Sequence, residues 1–179
     1  MSLADIQAAY YMVAATGVLV AAVFYIVNLR ETTRNRKATF ASNQLQFSGS
    51  VEWQQLMLEV WEMKWSDFGD FMKKYDSSAN PELAAKRLAY LARYDAIGRQ
   101  VKAGLFSLDD IGALSGYNLV ATWLFFKPII EGYRRIEFPT NAYSEFEYVA
   151  NAMMKKLTDD DPDFPRKVAM WSSDVVQDA

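Results

Sequence analysis

The chain begins with a long stretch that lacks charge. From Ile6 to Leu29 the residues are mostly apolar, and none carries a formal charge. A helix of roughly 20 apolar residues is long enough to cross the hydrocarbon core of a bilayer. A buried helix of a soluble protein rarely stays uncharged for so long. A cleaved signal peptide has a basic residue before a shorter apolar core, whereas Asp5 precedes this one. The pattern therefore predicts one N-terminal transmembrane helix.

Basic residues flank this stretch on its C-terminal side. The membrane-interface candidates are Arg30, Arg34, Arg36 and Lys37. Because cytoplasmic flanks of membrane helices are rich in Lys and Arg, we expect a single pass through the cytoplasmic (inner) membrane. The N-terminus is then outside, and the rest of the chain is cytoplasmic. Attraction of anionic lipids, at about 1 kcal/mol per basic residue, is the alternative interpretation of the same residues.

After the anchor, apolar positions recur every three to four residues, the period of a helix buried on one face. The expected helices are Val51–Tyr75, Pro81–Ala103, Leu108–Leu114, Leu119–Arg135, one from Thr140 or Asn141 to Leu157, and Lys167–Val176. Ser50 and Asn80 are expected to cap two of them. Ser107 with Asp110 forms a capping box, and Gly104 ends the helix before it.

The predicted fold is all-α, with one N-terminal transmembrane helix followed by a cytoplasmic multi-helix bundle. Residues 1–37 are expected to form the membrane anchor with its basic flank, and residues 38–157 the helical domain. Residues 158–179 are expected to form an acidic turn and a short C-terminal helix.

Pro128 lies inside one of the predicted helices. Proline lacks the backbone N–H and clashes with the carbonyl four residues earlier, so we expect a kink between Leu124 and Pro128. The apolar pattern continues beyond Pro128, so the helix is predicted to bend rather than to end.

The composition excludes several classes of function. The chain has no histidine and no cysteine, which removes imidazole bases, thiolate nucleophiles and the usual ligands of zinc, copper and haem. With 19 basic and 22 acidic residues the charge is too balanced for a nucleic-acid surface. We therefore predict no catalytic residue, no metal, no cofactor and no nucleic-acid partner.

Aromatic and basic side chains are the candidates for binding a partner. They are Trp53, Trp61, Trp65, Trp123, Lys127 and Arg134. Indole rings supply much contact area at low entropic cost, which suits an interface. A stripe of aromatic residues at helical spacing is nevertheless more often part of a core.

Asp95 is the other residue singled out by its position. It lies in a predicted helix that is otherwise apolar at Leu91, Ile97 and Val101. It is expected either to bind a ligand or, more simply, to form a structural ion pair with Arg93 or Arg99.

Several short segments occur in a distinctive order after the anchor. They are Tyr94-Asp95-Ala96-Ile97-Gly98, Val101-Lys102-Ala103-Gly104-Leu105, Asp109-Asp110-Ile111, Trp123, Lys127-Pro128-Ile129-Ile130-Glu131 and Arg134-Arg135. From Ala4 to Arg135 the chain resembles a broad bacterial and archaeal family of single-span, membrane-anchored helical proteins classed as a domain of unknown function. The resemblance implies the same fold and carries over no activity, cofactor or site residue.

Two functions are compatible with these observations. The first is a non-catalytic accessory or scaffolding subunit of a larger membrane complex, with the bilayer and other subunits as partners. The second is a membrane-tethered sensor or effector that binds a small ligand or transient partner near Asp95, Arg99 and the segment from Lys127 to Arg135. A hydrolase that uses paired carboxylates is a third alternative.

Overall fold

The computed structural model describes residues 2–136 and 141–170, and for residues 44 and 45 it describes the backbone alone. The described part is α-helical and contains no strand, as predicted. Its helices are α1 (Leu3–Ser48), α2 (Val51–Trp61), α3 (Phe68–Tyr75), α4 (Pro81–Lys102), α5 (Leu108–Ile136), α6 (Ser144–Asp160) and α7 (Phe164–Ala169). The chain divides into two compact units, Met1–Asn43 and Gln44–Ala179.

The first unit is helical and carries the predicted apolar segment. Its large apolar side chains, such as Val18 at 69% and Phe24 at 67% exposure, face outward. In the described part of the chain, α1 is the helix that is long and apolar enough to cross a membrane. Exposed apolar side chains over this length suit a lipid environment better than water.

One predicted helix, Val51–Tyr75, is wrong, because the structure has two helices there. The Ser50 hydroxyl caps α2 as expected, accepting a hydrogen bond from the Trp53 amide at 3.1 Å. The break follows from a second cap: the Asp67 carboxylate accepts from the Asp70 amide at 2.9 Å. Asp70 in turn accepts from the Ser66 amide at 3.1 Å, so the two aspartates close a reciprocal box that starts α3.

The predicted ends of α4 are confirmed to within one residue. The Asn80 side chain accepts from the Leu83 amide at 3.1 Å, and Pro81 occupies the first turn. Gly104 has a φ of +71°, the left-handed conformation that follows many helix ends. The capping box of Ser107 and Asp110 is also formed, with the Asp110 amide donating to the Ser107 hydroxyl at 3.2 Å.

α5 joins two predicted helices into one element with an internal break. Ser115 has φ −160° and ψ 16°, which are not helical angles. α5 continues through Pro128, as predicted, and its backbone angles leave the helical range at Ser115. The bend expected between Leu124 and Pro128 stays a prediction. Pro128 is exposed, so its ring lies on the outer side of α5 and the helix continues across it.

α6 and α7 begin at different residues from those predicted. Asn141 lies in a turn and α6 begins at Ser144, while Thr140 lies outside the described residues. α7 begins at Phe164, inside the segment expected to be an acidic turn, and ends at Ala169. Phe164 packs inward, which explains the early start. The predicted extension of this last helix to Val176 lies outside the described residues.

The core of the second unit lies where α4, α5 and α6 meet. Its fully buried side chains include Tyr90, Leu91, Phe125, Phe126, Phe146 and Met153. Gly98 allows α4 and α6 to approach closely, because its missing side chain leaves room for the backbone carbonyl of Glu145.

Candidate functional site

Three of the four candidate tryptophans lie in the core of the second unit. Trp53, Trp65 and Trp123 are 7%, 4% and 3% exposed. The Trp65 ring meets Phe125 edge to face with their centroids 4.7 Å apart, and Trp123 meets Phe146 in the same way at 5.3 Å. These rings stabilise the domain and offer little surface to a partner.

Trp61 is partly exposed. Its ring stacks on Phe125 with a centroid separation of 4.8 Å, and its Nε1 donates to the Tyr90 hydroxyl at 3.0 Å. Trp61 also lines an apolar groove of about 230 Å³, together with Leu58 and Tyr117. Trp61 therefore connects the core to a small surface groove.

The basic candidates differ in their surroundings. Lys127 is exposed and lies 3.8 Å from the Glu131 carboxylate, a weak surface pair. Arg134 is held inside the domain, where Nε donates to the Ala142 carbonyl at 2.9 Å and Nη1 to Glu147 at 2.7 Å. Arg134 thus ties α5 to the start of α6.

The membrane-interface candidates lie in the first unit. Arg30, Arg34, Arg36 and Lys37 are exposed residues of α1, directly after its apolar part. This position suits residues that mark the end of a membrane span.

The second unit contains a pocket of about 320 Å³ between α4, α5 and the residues that precede α6, here called the Arg87 pocket. Arg87, Asp95 and Arg99 of α4 line it together with Tyr133 of α5 and Tyr143. The three α4 residues are spaced by eight and four positions, so they lie on one side of the helix. The pocket therefore collects several charged and hydroxyl-bearing side chains beside the core.

Asp95 forms both an ion pair and a helix cap. Its Oδ2 lies 2.9 Å from Arg99 Nη2, and its Oδ1 accepts from the backbone amide of Phe146 at 3.1 Å. Phe146 lies in the first turn of α6, where an anion is favoured by the exposed N–H groups. Tyr143, at the N-cap position with φ 56°, supplies no side-chain cap, so Asp95 of α4 takes that role. Asp95 is 8% exposed, and each of its carboxylate oxygens has a partner.

Arg87 has a different environment. It is 3% exposed, and its guanidinium carbon lies 5.0 Å from the centroid of the Phe71 ring and 5.4 Å from that of Tyr133. Nη2 donates to the Tyr133 hydroxyl at 3.4 Å. Among the described residues, Nε is a buried nitrogen with no hydrogen-bond partner. No salt bridge joins Arg87 to a described carboxylate, so aromatic rings and a hydroxyl surround its charge.

The Tyr133 hydroxyl is hydrogen-bonded to both Arg87 and Asp76. It donates to Asp76 Oδ1 at 2.8 Å, and the Ser78 hydroxyl donates to Asp76 Oδ2 at 2.8 Å. Burial opposes ionisation of Asp76, but the hydrogen bonds from Tyr133 and Ser78 outweigh it and lower its pKa. Burial raises the pKa of Tyr133, Arg87 partly offsets the rise, and the bond to Asp76 adds to it, giving about 12.

Tyr143 lines the pocket together with Arg87 and Asp95. Burial raises the pKa of its hydroxyl, the Arg87 charge lowers it, and the Asp95 charge raises it. Arg87 and Asp95 therefore have opposite effects on the pKa of this hydroxyl.

A known protein family matches most of this chain. The profile of a family described as a domain of unknown function, DUF4760, matches residues 12–153. The chain belongs to the DUF4760 family. This confirms the resemblance to a domain of unknown function. No curated protein and no solved structure matches the chain.

The DUF4760 match includes all of the residues that line the Arg87 pocket. Sequence reasoning pointed to Asp95, Arg99 and the segment that contains Tyr133, and the structure brings these together. It missed Arg87 and Asp76. The helical spacing could have identified Arg87, because it lies two turns before Asp95 on the same face of α4.

Many acidic residues in the described part of this DUF4760 chain form helix caps or ion pairs. Within the described ranges, no group of three or more acidic side chains is placed to hold a metal ion. Asp109 pairs with Lys156 at 2.6 Å, and Asp70 pairs with Lys74 at 2.7 Å. The site with the most specific geometry in the second unit is therefore the Arg87 pocket.

Proposed function

We propose that this chain is a membrane-tethered binding protein whose helical domain holds a small ligand in the Arg87 pocket. The observation that carries the proposal is a pocket of about 320 Å³ that has buried charged side chains in its wall. Ligand sites are typically concave, have volumes of roughly 300–1,000 Å³, and combine an apolar lining with a few placed polar groups. The Arg87 pocket has each of these properties.

The residues that line the Arg87 pocket are suited to binding a ligand rather than to catalysing a reaction. One oxygen of Asp95 accepts a hydrogen bond and the other pairs with Arg99, while both oxygens of Asp76 accept hydrogen bonds. Neither aspartate is therefore placed to act as a base. A general base must reach the proton it removes with an oxygen that is free to accept it. We therefore propose a non-catalytic sensor or effector role.

The proposed cellular arrangement follows from α1. The basic residues Arg30, Arg34, Arg36 and Lys37 come directly after the apolar segment, and the positive-inside bias places such residues in the cytoplasm. The pocket would then sample cytoplasmic solutes from the surface of the inner membrane.

The role of an accessory subunit in a larger complex stays a prediction. Its support from the aromatic residues is weaker than expected, because Trp53, Trp65 and Trp123 pack inside the domain. The membrane helix remains the main reason to expect other subunits as partners. Gentle purification from native membranes tests it: co-migrating proteins support this role, and a lone monomer argues against it.

Thermal melting of the full chain in detergent, followed by tryptophan fluorescence, tests the binding proposal. A chemically diverse set of pocket-sized compounds is screened for those that raise Tm. Ala92 lines the pocket and is exposed, so Ala92→Trp fills the space without disturbing the core. Ala89→Trp, on an exposed position of α4 outside the pocket, is the matched control.

We expect some compounds to raise Tm in the wild type and in Ala89→Trp but not in Ala92→Trp. Absence of any such compound, or equal responses in the two variants, would contradict the proposal.

A further inference from the structure

We infer that the ligand of the Arg87 pocket is a small organic anion, a carboxylate or phosphate, whose charged group lies against Arg87. This inference rests on the proposed binding function and adds the chemical class of the ligand. It is drawn from the way in which the four charged side chains of the pocket wall are paired.

Three of these four side chains already have direct partners of suitable charge or polarity. Asp95 pairs with Arg99 at 2.9 Å and also accepts from the Phe146 amide at 3.1 Å. Asp76 accepts from the hydroxyls of Tyr133 and Ser78, both at 2.8 Å. A cationic ligand would have to displace donors that these carboxylates already have.

Arg87 is the remaining member of the set. Its partners are the ring faces of Phe71 and Tyr133 and the Tyr133 hydroxyl, and its Nε has no partner in the described part of the chain. Burying a cation costs free energy that a ring face offsets only in part, since a cation–π contact contributes about 0.5–2 kcal/mol. An anion entering the pocket would supply the missing counter-charge.

The chemistry of the guanidinium defines the class further. Its planar set of N–H donors matches carboxylate and phosphate oxygens and is always charged at physiological pH. Charge-assisted hydrogen bonds of this kind are shorter and stronger than neutral ones. Arg87 therefore favours an oxyanion over a neutral polar group.

The rest of the ligand is expected to be apolar and compact. Leu88, Ala92, Ile130 and Ala142 line the pocket beside the charged residues. A volume of about 320 Å³ suits a molecule with one ring or a short chain, and does not suit a nucleotide or a long acyl chain.

The test uses three probes of nearly equal size: benzoate, phenyl phosphate and the neutral benzamide. Their binding to the full chain in detergent is measured by titration calorimetry and by the shift in Tm. We expect benzoate or phenyl phosphate to bind and benzamide to bind much more weakly. The stronger of the two anions identifies the ligand as a carboxylate or a phosphate.

The variants are Arg87→Met, Arg87→Lys and, as a control, Arg135→Met, which removes an exposed cation from α5. Arg87→Met should weaken anion binding by roughly ten- to hundredfold, the loss expected of one charge-assisted hydrogen bond. Arg87→Lys should retain part of the affinity, and Arg135→Met all of it. Melting curves without ligand verify that each variant is folded.

Three results would overturn the inference: benzamide binding as tightly as the anions, unchanged anion binding in Arg87→Met, or failure of both anions to bind the wild type. If a neutral compound still binds and Ala92→Trp abolishes its binding, the pocket is a ligand site and only the anionic class is wrong. If no compound of any class binds, the proposed function fails as well.

Discussion

Gly98 of α4 lies directly against the backbone carbonyl of Glu145 in the first turn of α6. A Cβ atom at position 98 would overlap that carbonyl, so the two helices can approach this closely only with glycine there. The close approach also brings Asp95, one turn earlier on α4, within 3.1 Å of the Phe146 amide. The smallest side chain in α4 therefore positions one of the charged residues of the Arg87 pocket.

Gly98→Ala should destabilise the helical domain by about 1–3 kcal/mol or more, because the rigid carbonyl of Glu145 must move to admit the new methyl group. Gly112→Ala is the matched control. Its Cβ would meet the flexible Met153 side chain at 3.5 Å, an ordinary contact, so Tm should stay equal or rise. Equal melting temperatures for the two variants would contradict this account of α4 and α6.

Tyr90→Phe should cost about 1–3 kcal/mol through the loss of hydrogen bonds in the core. Tyr90 is fully buried, and its hydroxyl accepts from Trp61 Nε1 at 3.0 Å and lies 3.2 Å from the Thr122 hydroxyl. Removing the hydroxyl leaves these groups without that partner. Tyr148→Phe, at a residue 45% exposed, should leave Tm nearly unchanged. A neutral effect of Tyr90→Phe would mean that the polar cluster adds nothing to stability.

Pro128→Ala should raise the stability of the domain, because proline inside a helix is about 3 kcal/mol less favourable than alanine. Pro128 is exposed, so replacing its ring with a methyl group removes no contact in the core. Lys127→Ala, at the neighbouring exposed position, serves as the control and should change Tm little. A fall in Tm for Pro128→Ala would show that the ring is needed for packing.

Alkaline pH should destabilise the domain partly through Tyr133. Its folded pKa is raised from 10.0 to about 12, so ionisation is easier in the unfolded chain. The stability it contributes is complete below about pH 10 and is lost as the pH rises through about 12. Tm should therefore fall more steeply in the wild type than in Tyr133→Phe across this window. Parallel curves for the two proteins would contradict the raised pKa.

Protease accessibility tests the predicted orientation. A protease added to the cytoplasmic face of inverted membrane vesicles should digest the helical domain after Ser50, whereas the same protease added to intact cells should leave it uncut. The expectation depends on the basic residues from Arg30 to Lys37. Cleavage of the domain from outside intact cells would show that the orientation is reversed.

Local signals predicted much of the fold. The caps at Ser50 and Asn80, the box of Ser107 with Asp110, and the end of α4 at Gly104 depend on residues a few positions apart, and the structure has all of them. The break after Trp61 was missed although its signal is local too. The continuous apolar pattern from Val51 to Tyr75 outweighed the aspartates that start α3.

The binding site was harder to predict because its properties depend on packing between helices. Asp95 and Arg99 are four residues apart, so their pairing could be anticipated from helical spacing. The environment of Arg87 could not, since the rings that cover it come from α3 and α5. The burial of Trp65 is likewise set by distant residues, Phe125 and Phe126, and no local pattern separates such a core ring from a surface one.

The Arg93 guanidinium lies 4.3 Å from the ring centroids of both Phe47 and Trp53, and its Nη2 donates to the Ser48 hydroxyl at 3.0 Å. The last turn of α1 is thereby fastened to α4 by aromatic faces and a neutral hydroxyl. Screening by dissolved ions weakens exposed ion pairs far more than such partly desolvated contacts. Concentrated salt should therefore leave the contacts of Arg93 with Phe47, Ser48 and Trp53 intact.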